Sequence, residues 1–492
     1  MAPLKKIAFL FTLLILVTSS CTKEFEELNT DPNRLDKVSP GTLLNPILYS
    51  MASFNTQRSA DFTFDLMQVS LPYPSVAGGL HRYDMSESAG NSTWNTYYKW
   101  IKNIKEMKAA ADAVDDPNYK AIALTLDAWV YSLLTDSFGD VPMTEAASAD
   151  EGILRPIFNT QKEIYTTILN NLETANTLFV PTKSMIYGTE LLYGNNVSNW
   201  QKFCNSLHLR LLLRVSKRSE FNAEATMAAI INDPVKYPVF TKNDESAIIK
   251  ITGTEPNVSP WGRSIDFTNS RAVASFFVNN LNSFNDPRRE KFITQATRVD
   301  PVSRKAVSIG FKGIPSAYSG SESQFDYTPS NMVRGLVEAL PGSSPMLAPI
   351  MTYAEVEFIK AELALKGVIA SSAQTHYQNG VKAAIEQWGL VMPADYFTNP
   401  SYASSTAYNN SIERIMLQKY YALIFNDYQQ WFEYRRTGLP NLPKGTGLRN
   451  NGMMPVRFKY PTSVATNNNA NYKLALQSMG GDDVNTKVWW EK

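Results

Sequence analysis

The groups in this chain best suited to chemistry are aromatic side chains set in loop-forming sequence, each with a polar neighbour. Between residues 62 and 85, Pro72, Pro74, Gly78 and Gly79 interrupt any regular element, and Tyr73, His81 and Tyr83 stand among them. Asn91 and Trp94 follow, at the start of the next helical pattern. A second group, Trp261, Arg263, Tyr318 and Tyr327, lies in residues 239–333, where prolines recur and the helical period is lost. Flat ring faces pack against the C–H faces of sugar rings or against peptide planes, while neighbouring His, Asn and Arg side chains bond hydroxyls or amides. These residue types imply recognition more than catalysis. Trp261, between Pro260 and Gly262, is expected to be exposed; for Trp94, core packing at a helix start is the alternative to binding. Trp489 and Trp490 are expected to pack the chain end.

Catalytic and cofactor patterns have little support. His81, His208 and His376 are far apart in the chain, without a zinc-ligand spacing, and His208 and Cys204 fall on an amphipathic helix as packing residues. There is no nucleophile elbow and no phosphate loop. Gly445, Gly447 and Asn450 fall short of a dinucleotide fingerprint and read as a turn, as do Gly480, Gly481, Asp482 and Asp483. Glycosidases need two carboxylates across one sugar ring. Glu355, Glu357 and Glu362 lie together on one helix among alanines, where an outward-facing charged stripe accounts for them. No cofactor and no metal is expected.

Lys and Arg number 47 against 46 acids, so no net field draws nucleic acid or an anionic surface. The low share of charged residues, 19 %, beside 12 % aromatics favours uncharged ligands. Residues 1–20 read as a lipoprotein signal peptide: Lys5 and Lys6, an apolar run, then Thr18, Ser19 and Ser20 before Cys21. Acylation of Cys21 would hold residues 21–40, an acidic tether with Glu24, Glu26 and Glu27, to a membrane, and the lipid would be the only membrane contact.

The elements expected to position the rings are helices over residues 42–53, 94–113, 118–136, 160–178, 197–217, 223–231, 352–367 and 372–389, with residues 272–283 the only helix in the irregular stretch and a strand over 246–252. Residues 410–437 read as one long helix, capped by Asn410 with Glu413 and closed by Gly438 and Pro440; its wide apolar stripe requires other helices around it. Arg435 and Arg436 in its last turn read as cap plus buried ion pairs. Ala361, Ala364, Ala373, Tyr377 and Gly380 follow much of a tetratricopeptide spacing, and such pairs could wrap the long helix. The mature body is therefore expected to be all-α, mainly helical, with a scaffold in 41–238 and 350–440, a loop-rich excursion in 239–349, and a loop-rich C-terminal segment in 441–492.

FEELNTDPN after Cys21, DSFGDVPMTEA at 136–146, FNTQKEIYTTIL at 158–169, NWQKFCNSLHLRLLLR at 199–214, NDPRREKF at 285–292, QKYYALIFNDYQQWFEYRRTG at 418–438 and the final KYPTSVATNN, GGDD and WWEK together resemble SusD/RagB-type nutrient-binding outer-membrane lipoproteins of Bacteroidetes. The resemblance implies a SusD-like fold with tetratricopeptide-like helix pairs and a variable, loop-rich part that binds ligand. It also implies a lipid-anchored, cell-surface position, with the acids beside Cys21 serving as an export label. There the protein would capture oligosaccharides or oligopeptides for a SusC-like TonB-dependent transporter. Asn159 stands where the family often has Asp, and Cys204 where a smaller residue is common. The alternatives to this reading are a tetratricopeptide-like scaffold that binds only proteins and, further off, a glycan-active enzyme.

Overall fold

The computed structural model describes residues 38–492. The expected leader, Cys21 and the tether acids lie outside these residues.

The first half is a run of helices, each packed on the next. They are α1 (Pro40–Arg58), α2 (Asn91–Ala113), α3 (Pro117–Phe138), α4 (Gln161–Leu178), α5 (Val197–Arg214) and α6 (Ala223–Asn232). Their starts are written in the local sequence. The Asp116 carboxylate accepts from Asn118 N at 2.9 Å, with Pro117 in the first turn; Thr160 and Glu163 form a capping box; and Asn196 accepts from Asn199 N. α3 is buried around nearly its whole circumference, which makes it the central rod of this half.

The irregular stretch keeps little regular structure among the described residues. Three two-stranded ribbons pair β1 (Ser70–Pro72) with β3 (Arg271–Val273), β2 (Ala247–Ile251) with β6 (Met346–Met351), and β4 (Thr297–Val299) with β5 (Ala306–Ser308), all antiparallel. β2 falls within the expected strand. The helix expected over 272–283 begins only at Ser275, as α7 (Ser275–Ser283), because Arg271–Val273 is drawn into pairing with β1. Short helices at Ser264–Thr268 and Arg288–Phe292 also occupy this stretch, so α7 is not its only helix.

Helical order returns with α8 (Tyr353–Leu365) and α9 (Ala373–Glu386), capped by Thr352 and Ser372. They pack face to face, and Gly380 meets the Phe358 ring so closely that a Cβ there would sit 3.0 Å from it, the small position that the repeat spacing asks for.

The single long helix expected next is two helices, α10 (Ile412–Ala422) and α11 (Gln429–Thr437). Between them Phe425 and Asp427 adopt left-handed backbone, φ 64° and 38°. The buried Asp427 carboxylate accepts from Tyr428 N at 2.5 Å and Gln429 Nε2 at 2.9 Å, a local alternative to the helical ladder. The apolar stripe runs through the break because both halves face the same core. The N-cap is Ser411, accepting from Arg414 N at 3.2 Å, not Asn410. Gly438 closes α11 as expected, at φ 75°. The C-terminal segment holds two more helices, α12 (Thr462–Asn467) and α13 (Asn469–Met479), whose polar Asn-rich faces leave little apolar period to read. Trp490 is buried at the chain end, as expected.

The acids on α8 do not form an outward stripe. Glu355, Glu357 and Glu362 are all buried. Arg210 of α5 binds Glu355 through two bonds, at 2.7 and 2.5 Å, and Arg436 of α11 binds Glu362 in the same forked manner, at 2.8 and 2.6 Å. Burial alone would raise the Glu362 carboxyl; the Arg436 guanidinium overrides it and holds the group at about 2. Glu357 meets His376 and Lys360. Arg435 likewise pairs with Glu491 at 2.7 Å, in keeping with the expected buried ion pairs.

Candidate functional site

Of the nine ring-bearing and polar residues singled out in the sequence, eight separate into three places. Tyr73, His81, Tyr318 and Tyr327 come together, Trp94 and Asn91 lie at the start of α2, and Trp261 and Arg263 line a pocket of their own, while the ninth, Tyr83, falls in none of these and joins the main core.

The first gathering is built on the β1–β3 ribbon. Tyr73 leaves β1 with its N–H bonded to Ser270 O at 2.8 Å. Just past β3, Ala274 bridges to Ile314, which fixes the segment leading to Tyr318. Leu71, Ala272, Ala274, Ile314 and Tyr318 form a small apolar cluster separate from the main core, and Tyr73 and Phe325 pack onto it, half-buried. Phe325 stands edge-on to Tyr318, centroids 5.0 Å apart, and to Tyr327 at 5.8 Å. The Tyr327 hydroxyl donates to Gly313 O at 2.9 Å, and Lys312 Nζ lies 4.0 Å from its ring centre. Tyr73, Phe325 and Tyr327 thus share one loop-built face, each ring partly open to solvent.

Arg82 ties that face together. Its guanidinium donates to Val76 O at 2.6 Å, Gly447 O at 3.1 Å, Ser75 Oγ at 2.9 Å and Tyr318 O at 3.0 Å, joining three chain segments. The Arg82 carbonyl in turn accepts from Arg449 N at 2.8 Å, and Gly447 N donates to Ala317 O at 2.8 Å. Gly445 and Gly447 make this closeness possible. A Cβ on Gly445 would run into the Ser316 carbonyl, and one on Gly447 into the Arg82 guanidinium. The near-fingerprint glycines are therefore points of close backbone approach. Arg82 itself was not among the residues picked from the sequence; its backbone acceptors Tyr318 and Gly447 lie hundreds of positions away, so no local spacing announces it.

Beside the clamp, Glu322 accepts from the Tyr318 hydroxyl at 2.8 Å and from Ser75 N at 2.7 Å. Those bonds hold its carboxyl below the usual range, while burial and then the Glu322 carboxylate push Tyr318 up to about 12. His81 is buried and contacts Ser75 Oγ at 3.3 Å. Burial, then Arg82 and Arg271, lowers it to about 4, so at neutral pH it is an uncharged spacer under the loop. Tyr83 turns through left-handed backbone (φ 62°) into the main core and is no part of the exposed face.

Trp94 is a core residue with one edge open. It contacts Tyr98, Phe138, Phe158 and Tyr460 and borders a cleft of about 240 Å³ under Pro142 and Val464. Asn91 opens α2, its Oδ1 buried without a partner. Trp261, expected to be exposed, is buried: its ring packs edge-on to Phe267 at 5.5 Å and joins the main core. The flanking Pro260 and Gly262 shape the loop but do not set its ring's surroundings. Arg263 is exposed and pairs with Asp266 at 2.7 Å, at the rim of a pocket of about 500 Å³ shared with Trp261 and Glu338.

The loop face offers ring surfaces, hydroxyls and one carboxylate already engaged by two donors; among the described residues no group of His, Cys, Asp or Glu is arranged to hold a metal ion. Nor is any described helix long and apolar enough to cross a membrane.

A family model described as starch-binding and associating with the outer membrane matches residues 32–461. No curated protein matches the chain. Solved structures share the fold over nearly its whole length. A chitin-binding protein is 23 % identical with a TM-score of 0.76, covering 92 % of this chain and 100 % of its own. A SusD homologue from Bacteroides fragilis is 22 % identical at 0.77, covering 93 % and 100 %. A chitin-binding SusD homologue from Flavobacterium johnsoniae is 20 % identical at 0.75, covering 91 % and 98 %. The matched region takes in both the helical body and every segment that Arg82 ties together, and the chain belongs to the SusD-like, outer-membrane-associated family.

Proposed function

We propose that this protein is a non-catalytic, lipid-anchored receptor at the cell surface that captures oligosaccharide on the Tyr73–Phe325–Tyr327 face and delivers it to a SusC-like TonB-dependent transporter. The observation that carries this reading is the Arg82 clamp, which spends a buried guanidinium on holding three loops so that half-open rings share one face. A preorganised ring platform with hydroxyls at its edge suits an uncharged sugar chain. The family's description as starch-binding and the chitin-binding relatives point the same way. The paired state of Glu355, Glu357 and Glu362 supports a binding role over hydrolysis, since acids held in ion pairs inside the body are not poised across a sugar ring. Anchoring through Cys21 rests on the leader sequence alone.

The protein-only scaffold draws on the burial of His81, Tyr83, Tyr318 and Trp261. One titration separates the two. Calorimetry of the purified protein against maltoheptaose, chitopentaose and a panel of oligopeptides, with Tyr73→Ala and Tyr327→Ala alongside, should show saturable binding of a sugar that either variant weakens at least tenfold. Heat from the peptides alone would replace sugar by peptide as the ligand class. No heat from any probe, with the transporter still retained on the protein, would favour the scaffold.

A further inference from the structure

A cavity of about 640 Å³ opens between α4, α5 and the start of α6, and none of the loop-face residues lines it. Its floor is apolar, formed by Leu169, Leu212 and the half-buried Phe221 ring. Set into that floor is His208, 4 % exposed, whose Nδ1 is buried without any hydrogen-bond partner. An orphaned buried N–H is rarer and costlier than an under-used acceptor, which assigns the imidazole proton to Nε2 and turns an N–H donor toward the cavity. Burial lowers the ring to about 4, so it is neutral at physiological pH. Charges at the rim are matched: Lys162 with Glu220 at 3.9 Å on one side, and Lys236 with Glu173 at 3.9 Å on the other. The Tyr237 hydroxyl is committed to Glu173 at 2.7 Å, and the Asn170 amide stands open beside it.

From this arrangement we infer that the His208 cavity is a second sugar-binding site, taking one uncharged pyranose unit with a ring face on Phe221 and an oxygen on His208 Nε2. An apolar floor, a neutral donor at its centre and a rim without net charge fit a hydroxylated ring and give a charged group nothing to pair with. The inference rests on the sugar-binding reading of the protein but not on the loop face, from which it is physically separate. Two sites of modest strength on one receptor would hold a long chain better than either alone.

With only three histidines in the chain, each imidazole can be followed by nuclear magnetic resonance of the purified protein labelled with ¹⁵N-histidine. Maltoheptaose and chitopentaose are the sugar probes and tetra-alanine the peptide probe. The His208 signal should move saturably with at least one sugar, in the native protein and in Tyr73→Ala/Tyr327→Ala alike. Asn170→Ala, an exposed substitution that leaves the core intact, should weaken that response about tenfold. His208→Phe, which keeps the packing volume, should abolish the second heat in calorimetry while the loop face still binds. A His208 signal unmoved by either sugar in protein whose loop face binds would overturn the inference and leave the proposed function standing. A response to tetra-alanine without one to sugar would overturn it as well. Silence at both sites would remove the two together.

Discussion

Two regions of this molecule are each held by buried arginines, and they use them differently. In the helical body, Arg210 and Arg436 grip the carboxylates of Glu355 and Glu362 in forked ion pairs, all four side chains buried. In the loop cluster, Arg82 is also buried, yet its partners are three backbone carbonyls and a serine hydroxyl. The first arrangement locks side chain to side chain between helices already formed by their own backbone bonds. The second supplies the bonds that irregular backbone lacks. A buried charge paired with a charge is fixed by its partner's identity, whereas one solvated by carbonyls is fixed by the path of the chain.

The contrast can be broken most severely at Arg210. Arg210→Met would strand Glu355, 1 % exposed, and should destabilise the fold by about 3–5 kcal/mol in a denaturant titration. Adding Glu355→Leu should recover most of the loss, while sugar affinity of the folded fraction stays unchanged. Arg82→Met leaves no carboxylate behind and should cost less, on the order of 1–3 kcal/mol. Its main effect should be functional: protease cleavage within residues 72–85 and loss of the heat of sugar binding at the loop face. If Arg82→Met unfolded the whole protein as Arg210→Met does, the distinction between the two regions would fall.

The smallest effect sharpens the comparison from the other side. Asp127 on α3 accepts from Asn171 at 3.3 Å, and among the described residues it has no ion pair. Burial raises its carboxyl to about 7, with Lys108 only partly offsetting this. A carboxyl raised on folding makes the native state bind its proton more tightly than the unfolded chain does. Its contribution therefore weakens as pH climbs from about 4 through about 7. Asp127→Asn should raise the melting temperature clearly more at pH 8 than at pH 5. Equal shifts at both values would show that the acid is paired in solution.

Much of the helical body could be read from the residues because its determinants are local. Thr160 with Glu163, Asn196, Thr352 and Ser372 cap the helices they precede, and apolar spacing carries each helix onward. The break at Phe425–Asp427 escaped because the apolar stripe continues across it; the signal present was Asp427, whose carboxylate bonds the next backbone N–H, that of Tyr428. The loop cluster was half legible. Ring-bearing loops stood out by composition, and Tyr73, Tyr318 and Tyr327 do meet. Whether a loop ring faces water or core depends on segments distant in the chain, which is why Trp261 and Tyr83 were misplaced and Phe325 and Arg82 overlooked.

The clamp also bears on how a loop face built this way could come to present different side chains. Arg82 reads the main-chain oxygens of residues 76, 318 and 447, and every amino acid carries that oxygen. Of these positions 447 is restricted to glycine by the space the guanidinium needs, and 318 is held by its ring's place in the small cluster and its bond to Glu322. The residues presented at 73, 325 and 327 contribute nothing to the clamp. A lineage can therefore exchange the presented side chains one at a time, trying new ligands, while the frame that presents them is inherited intact.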